Sequence, residues 1–266
     1  MPSTVTFTFV RHGESMDNLK QLWAGWKESP LSNHGMNQAN ALGTSFAKET
    51  FTAILTSPLS RALSTASAVH ERQEPPRPPL IQNDLLKEQH FGEGEGKPYM
   101  AARRAELSVE EQGVYPRKKG DDERFPGGES RREVRERADR AVEQLLMPYV
   151  VTLEEGSPAH VLVVSHGIFI RHLVAGLIKR GTLAKASTER IALQNTGWVR
   201  VVVEKEAENL SMSITEVNQH GHLKSLVRQK GGIGSSAHDP RQQDLRAFFG
   251  GGKARPSSSQ KKTASR

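Results

Sequence analysis

The stretch VLVVSHG, Val161 to Gly167, sets the fold reading: four aliphatic residues run without a polar break into Ser-His-Gly, a turn signal. Continuous apolar runs of this length suit a strand buried on both faces of a parallel sheet, whereas a strand with one wet face alternates. A helix is expected directly after it, near Ile168 to Arg180. Outward from this point, Thr4 to Val10 (TVTFTFV) reads as a second strand, and it too ends on a histidine, in Arg11-His12-Gly13. Further strands are expected at Ala53 to Thr56, Leu80 to Gln82, Trp198 to Glu204 and Leu210 to Val217.

Helical spacing marks the segments between these strands. Met36, Ala39, Leu42 and Phe46 recur on one face of a helix from about Asn33 to Glu49. Ser57-Pro58 opens another, over Ala62 to Arg72. Tyr99 to Gln112 and Ser130 to Leu153 also read as helical, with a charged, loop-like stretch between them at Arg117 to Arg124 and with Pro148 expected to kink or end the second helix. Strands interleaved with helices predict an α/β fold: a three-layer sandwich with a mostly parallel central sheet flanked by helices.

Charge divides the chain. Of its 266 residues 37 are Lys or Arg and 30 Asp or Glu, a net charge of +7. Nine Lys or Arg and two Asp lie between Arg228 and Arg266, so that segment carries the whole surplus and residues 1–227 are neutral. The basic balance therefore gives no support to specific nucleic-acid binding by the body. We expect a body over 1–227, with a helical insert at about 99–130, and a disordered basic C-terminal tail over 228–266, rich in Gly, Ser, Lys and Arg. The chain has no cysteine, which excludes disulfides, thiolate metal sites and a cysteine nucleophile. No apolar run approaches the roughly 20 residues of a membrane span, and a cytoplasmic protein is expected.

In open α/β sheets, ligands bind beyond the carboxyl ends of the strands, and here two strands run into His12 and His166. RHGESMDN (Arg11 to Asn18), SPLSRA (Ser57 to Ala62), Leu86-Lys87-Glu88 before FGEGEG, and VSHG (Val164 to Gly167) occur in this order. Together they resemble the histidine phosphatase superfamily, the phosphoglycerate mutase-like fold, over about residues 4 to 205. The resemblance implies a metal-independent phosphatase acting on small phosphorylated metabolites through a phosphohistidine, with no cofactor. His12 would be the nucleophile, a neutral imidazole attacking phosphorus. Arg11, Arg61 and His166 would surround the phosphoryl group, the arginines through their planar forks. Asn18, Gly25 and Gly167 would add phosphate contacts. Glu88 would be the general acid, with Glu93 and Glu95 as neighbouring alternatives. Ala24 stands where many relatives have Ser or Thr.

RFPGGES, Arg124 to Ser130, resembles the segment of fructose-2,6-bisphosphatases and TIGAR-like phosphatases, which makes Arg124 a candidate substrate contact, while Gly127 replaces a lysine common there; Arg171, five residues after His166, resembles a substrate arginine of the bisphosphatase domains. A sugar phosphate or a phosphorylated glycolytic acid is the expected substrate class, and a phosphoglycerate mutase is the alternative within enzymes. In the tail, Gln242, Leu245, Phe248 and Phe249 form Q-x-x-L-x-x-F-F, which resembles the PIP box that docks on the sliding clamp PCNA. Leu245, Phe248 and Phe249 would share one helical face. Clamp binding would place the protein in the nucleus for part of the time, and a non-catalytic scaffold presenting this tail is the competing class.

Overall fold

The computed structural model describes residues 3–99, 113, 115–116, 120–154, 156–185, 191–207, 209–239 and 241. Among them seven strands form one sheet: β1 (Ser3–Arg11), β2 (Ala53–Thr56), β3 (Leu80–Gln82), β4 (Pro158–Ser165), β5 (Thr182–Lys185), β6 (Trp198–Glu206) and β7 (Asn209–Gln219). Their order is β3-β2-β4-β1-β6-β7-β5. β3, β2, β4 and β1 are parallel to one another. β6 pairs antiparallel with β1 and with β7, and β5 runs parallel to β7 at the edge.

Helices cover both faces. On one side α2 (Asn33–Ser45) and α3 (Ser60–His70) bury Leu42, Phe46, Ala62, Ala66 and Val69 against Val10, Ile54, Leu162 and Val164. On the other, α4 (Arg131–Ala141), α5 (Met147–Val151) and α6 (Gly167–Ile178) pack Val134, Val150, Phe169 and Leu173 against Phe7, Phe9, Val161 and Val163. Successive residues of β4 thus go to opposite cores, which is why its sequence is apolar without alternation. The expected three-layer α/β sandwich is the fold observed.

Several expectations change. A five-residue helix, α1 (Met16–Lys20), follows His12 and has no counterpart in the sequence pattern; nor has edge strand β5. Pro148 acts one turn early. Val142–Leu146 is a single π turn, in which the Met147 N–H reaches back to the Val142 carbonyl, before the helix resumes. Residues 120–130, at the end of the expected insert, run as turns and bends that take in part of the loop-like stretch at 117–124, and most of the expected helix at 99–112 lies outside the described residues. The boundary expected at 227 does not end the packed chain. Arg228 pairs through both Nη atoms with the Glu14 carboxylate at 2.6 and 3.0 Å. His238 donates its N–H to the Leu31 carbonyl, and Ala237 bridges Ser32. A Gly- and Ser-rich composition had pointed to disorder from 228; specific partners at the start of α2 override it. The motif at 242–249 lies outside the described residues. No helix among the described residues is long and apolar enough to cross a membrane.

Candidate active site

The parallel ladder carries the candidate residues to one edge. Arg11 is paired with Ser165, and Thr56 with Val164. The ladder then continues past the strand ends, with His12 N–H on Ser165 O (3.0 Å) and Ser57 N–H on Val164 O (3.1 Å). His12, Ser57 and His166 therefore stand side by side, with the His12 and His166 ring centroids 5.1 Å apart.

His12 is 4% exposed, and its Nδ1 lies 2.7 Å from the Gly13 carbonyl oxygen. A carbonyl only accepts, so Nδ1 carries the proton and the lone pair is on Nε2. Burial, then the charges of Arg61 and Arg11, hold the imidazole well below the usual histidine range, against the opposing pull of the Gly13 bond. The ring is thus neutral at physiological pH, with Nε2 available as a nucleophile.

Arg61, on the first turn of α3, is fully buried and donates to the carbonyls of Gly25 (2.6 Å) and Lys27 (3.1 Å). Arg11 donates to Leu193 O at 2.9 Å. The carbonyl contacts leave both Nε atoms without a partner, and the Nδ1 of His166 is likewise unpartnered and buried. Buried polar atoms are ordinarily paired, so three unpaired nitrogens clustered about His12 fit the recognition of a tetrahedral oxyanion. His166 is itself fully buried; its Nε2 meets Ser57 Oγ at 2.9 Å, and burial followed by Arg61 keeps it neutral.

Glu88 faces these residues from the segment after Leu86. Its carboxylate accepts the N–H groups of Phe169 (3.0 Å), Ile168 (3.3 Å) and Gln89 (2.9 Å), the first two at the start of α6. Glu95, an alternative at the sequence level, is committed elsewhere: its Oε1 accepts from Trp26 N–H and Phe91 N–H. It also occupies the space a side chain at position 25 would need, since a Cβ on Gly25 would lie 2.1 Å from that oxygen, and Gly25 has φ +53°. Glu95 thereby fits the Gly25 loop to Arg61.

A cleft of about 470 Å³ opens here, lined by Arg11, His12, Asn18, Gly25, Arg61, Glu88, Gly167 and Arg171 among others. Asn18 accepts through Oδ1 from Ser15 N–H and from Asn195 Nδ2, so its NH2 is the end available to a ligand. Glu93 and Glu95 do not line the cleft. Neither does Arg124: its Nη1 pairs with Glu133 at 2.6 Å, on the surface beside the capping box of α4.

Two groups of residues escaped the sequence reading. The turn Gln194 to Gly197 braces the end of β1: Asn195 Nδ2 donates to His12 O, and Thr196 N–H to Arg11 O. His222 supports that turn through Thr196 Oγ1 at 2.9 Å. The second group is the Arg137–Glu129 pair, beneath Glu88. Asn-Thr-Gly at 195–197 was a turn signal; Arg137 had none within a run of helix charges.

The chain is similar in sequence to the 2,3-bisphosphoglycerate-dependent phosphoglycerate mutase 2 of Gloeobacter violaceus, at 31% identity over 201 residues, 75% of this chain and 85% of that protein. It shares its fold with a mycobacterial glucosyl-3-phosphoglycerate phosphatase, with a TM-score of 0.61 and 23% identity, covering 80% of this chain and 98% of that one. It shares it also with a phosphoglycerate mutase from Bacillus anthracis, with a TM-score of 0.62 and 21% identity, covering 84% and 96%. A family model matches residues 7–214, and the chain belongs to the histidine phosphatase superfamily, branch 1.

Proposed function

We propose that the protein is a metal-independent phosphatase that hydrolyses small phosphomonoesters through a phosphohistidine on His12. The observation that carries this reading is a neutral, buried imidazole with Nε2 unprotonated, set among the unpartnered nitrogens of Arg11, Arg61 and His166. In the first step His12 Nε2 bonds to phosphorus in line as the bond from phosphorus to the ester oxygen breaks, and Glu88 gives its proton to the leaving alkoxide. In the second, the Glu88 carboxylate takes a proton from water, the water oxygen bonds to phosphorus, and the N–P bond breaks. Arg11 and Arg61 stabilise charge on the equatorial oxygens throughout. Sugar phosphates and phosphorylated glycolytic acids are the substrates suggested by the family resemblance.

A mutase is the second reading, favoured by the name of the Gloeobacter relative. The two differ only in what accepts the phosphoryl group, water or a second hydroxyl acid. The test is phosphate release from a panel that includes the phosphoglycerates and fructose 2,6-bisphosphate, with product analysis for phosphoryl transfer. Wild type should release phosphate and form an acid-labile adduct on the peptide containing His12. His12→Ala should lose both, with kcat down by about a thousandfold or more. Transfer between phosphoglycerates without net release would establish the mutase instead.

A further inference from the structure

The cleft is lined by residues of two chemical kinds. Arg11, His12 and Arg61 lie together, and the lining also includes Leu22, Trp23, Phe91, Tyr99, Ile168 and Ile191. The charged residues among the described lining are Arg11, Arg61, Glu88 and Arg171. An ester bound with its phosphate against His12 therefore turns its alcohol toward a largely aromatic and aliphatic surface.

That surface is built and held. Trp23 packs on Phe91 and Tyr99, with ring centroids 4.4 and 5.2 Å apart. The two segments that carry Trp23 and Tyr99 pair with each other: Leu22 bridges Pro98, Trp23 N–H donates to Lys97 O, Gly96 N–H to Trp23 O, and Tyr99 N–H to Gln21 O. The Trp23 indole N–H is already spent on the Tyr115 carbonyl at 2.6 Å. What Trp23 has left for a ligand is ring surface, and rings prefer offset or edge-on contact with another ring.

We infer that the preferred substrates are phosphomonoesters whose alcohol carries an apolar ring, the ring resting on Trp23 and Tyr99 while the phosphate meets His12. This rests on the phosphatase reading above and names its substrate class. A short or polar alcohol leaves the wall wet and gains little from it; burying a ring of phenyl size adds about tenfold or more to binding in the transition state.

The test compares primary alcohols, so that leaving-group basicity stays nearly constant. Full-length protein is assayed for phosphate release from 2-phenylethyl phosphate, ethyl phosphate and 3-phosphoglycerate. The expected result is a kcat/KM for 2-phenylethyl phosphate about tenfold or more above that for ethyl phosphate. In Trp23→Ala and, separately, Tyr99→Ala this ratio should fall toward one, and in Trp23→Phe it should be largely kept. A ratio is insensitive to the fraction of each variant that folds, so a partly unfolded variant still reports. A wild-type ratio within about threefold of one, or a preference for 3-phosphoglycerate, would overturn the inference and leave the phosphatase standing. Phosphate release from none of the three by wild type would overturn the phosphatase reading itself.

Discussion

Arg137 uses all five of its N–H donors inside the molecule. Nε and Nη2 hold the two oxygens of Glu129 at 2.8 and 2.7 Å, Nη1 donates to the carbonyls of Leu85 and Lys87, and Nη2 also to that of Glu88. Glu129 in turn accepts the His90 N–H, and Trp26 Nε1 shares the Glu88 carbonyl. Three backbone carbonyls around the proposed acid, those of Leu85, Lys87 and Glu88, thus hang on one guanidinium that is 5% exposed. Arg137→Ala strips a buried charge of its partner and should destabilise the fold by about 3–5 kcal/mol. Arg137→Lys keeps the charge but lacks the fork, so it is the informative variant. It should lower kcat severalfold or more for ethyl phosphate while leaving KM unchanged, and much less for p-nitrophenyl phosphate, whose leaving group departs without a proton. Equal losses on both esters would reduce Arg137 to a purely structural role. His12, Arg61 and Glu88 were legible because motifs of ordered spacing surround them. Arg137 sits in RREVRERADR, where nothing in the sequence separates an inward arginine from its solvated neighbours.

Elements were most legible where the core dictates them. β2 and β3 lie at the expected residues, and β4 differs mainly in beginning earlier, at Pro158, where it lines up with Thr4 of β1. Five-residue Met16–Lys20 is too short to show a period, and among the described residues β5 pairs only with β7, at the sheet edge, so neither imposes a pattern on its sequence. Close packing between elements was equally invisible. The start of α2 crosses the loop after His12 so tightly that a Cβ on Gly35 would lie 2.0 Å from the Glu14 carbonyl oxygen, and one on Gly13 would lie 2.6 Å from Gly35 O. Gly35→Ala must push helix and loop apart, with a cost of about 1–3 kcal/mol or more and, through the displaced Gly13, a lower kcat. Gly221→Ala, where nothing lies within 4 Å, is the matched control and should leave the melting temperature unchanged. Equal melting curves for the two variants would mean the crossing can relax without cost.

For the molecule as a whole, the neutral body and basic C-terminal segment were readable from charge alone, but the docking of Arg228 on Glu14 was not, since an ion pair 214 residues apart leaves no local trace. Nor did the sequence show how many histidines the fold buries. His12 and His166 are held well below the ordinary histidine range, by burial first and then by Arg61. His160, half-buried and beside Arg200, is lowered to about 4, and His222, half-buried beside His220, also to about 4. All four shifts have one sign: near pH 5 the unfolded chain takes up protons on these rings that the folded chain refuses. Stability that is complete above about pH 6.5 must therefore be lost as the pH falls through 6 and 5. For His160 alone the window from 6.5 down to about 4 corresponds to about 3 kcal/mol. Urea unfolding at intervals from pH 7.5 to 4.5 should show the midpoint falling steadily below 6.5. In His160→Gln, which can still bond Thr8, the fall should be shallower by nearly one proton. A midpoint independent of pH between 7 and 5 would contradict neutral burial of these histidines. With it would go the argument that His12 stays unprotonated, and so ready to attack, in mildly acidic solution.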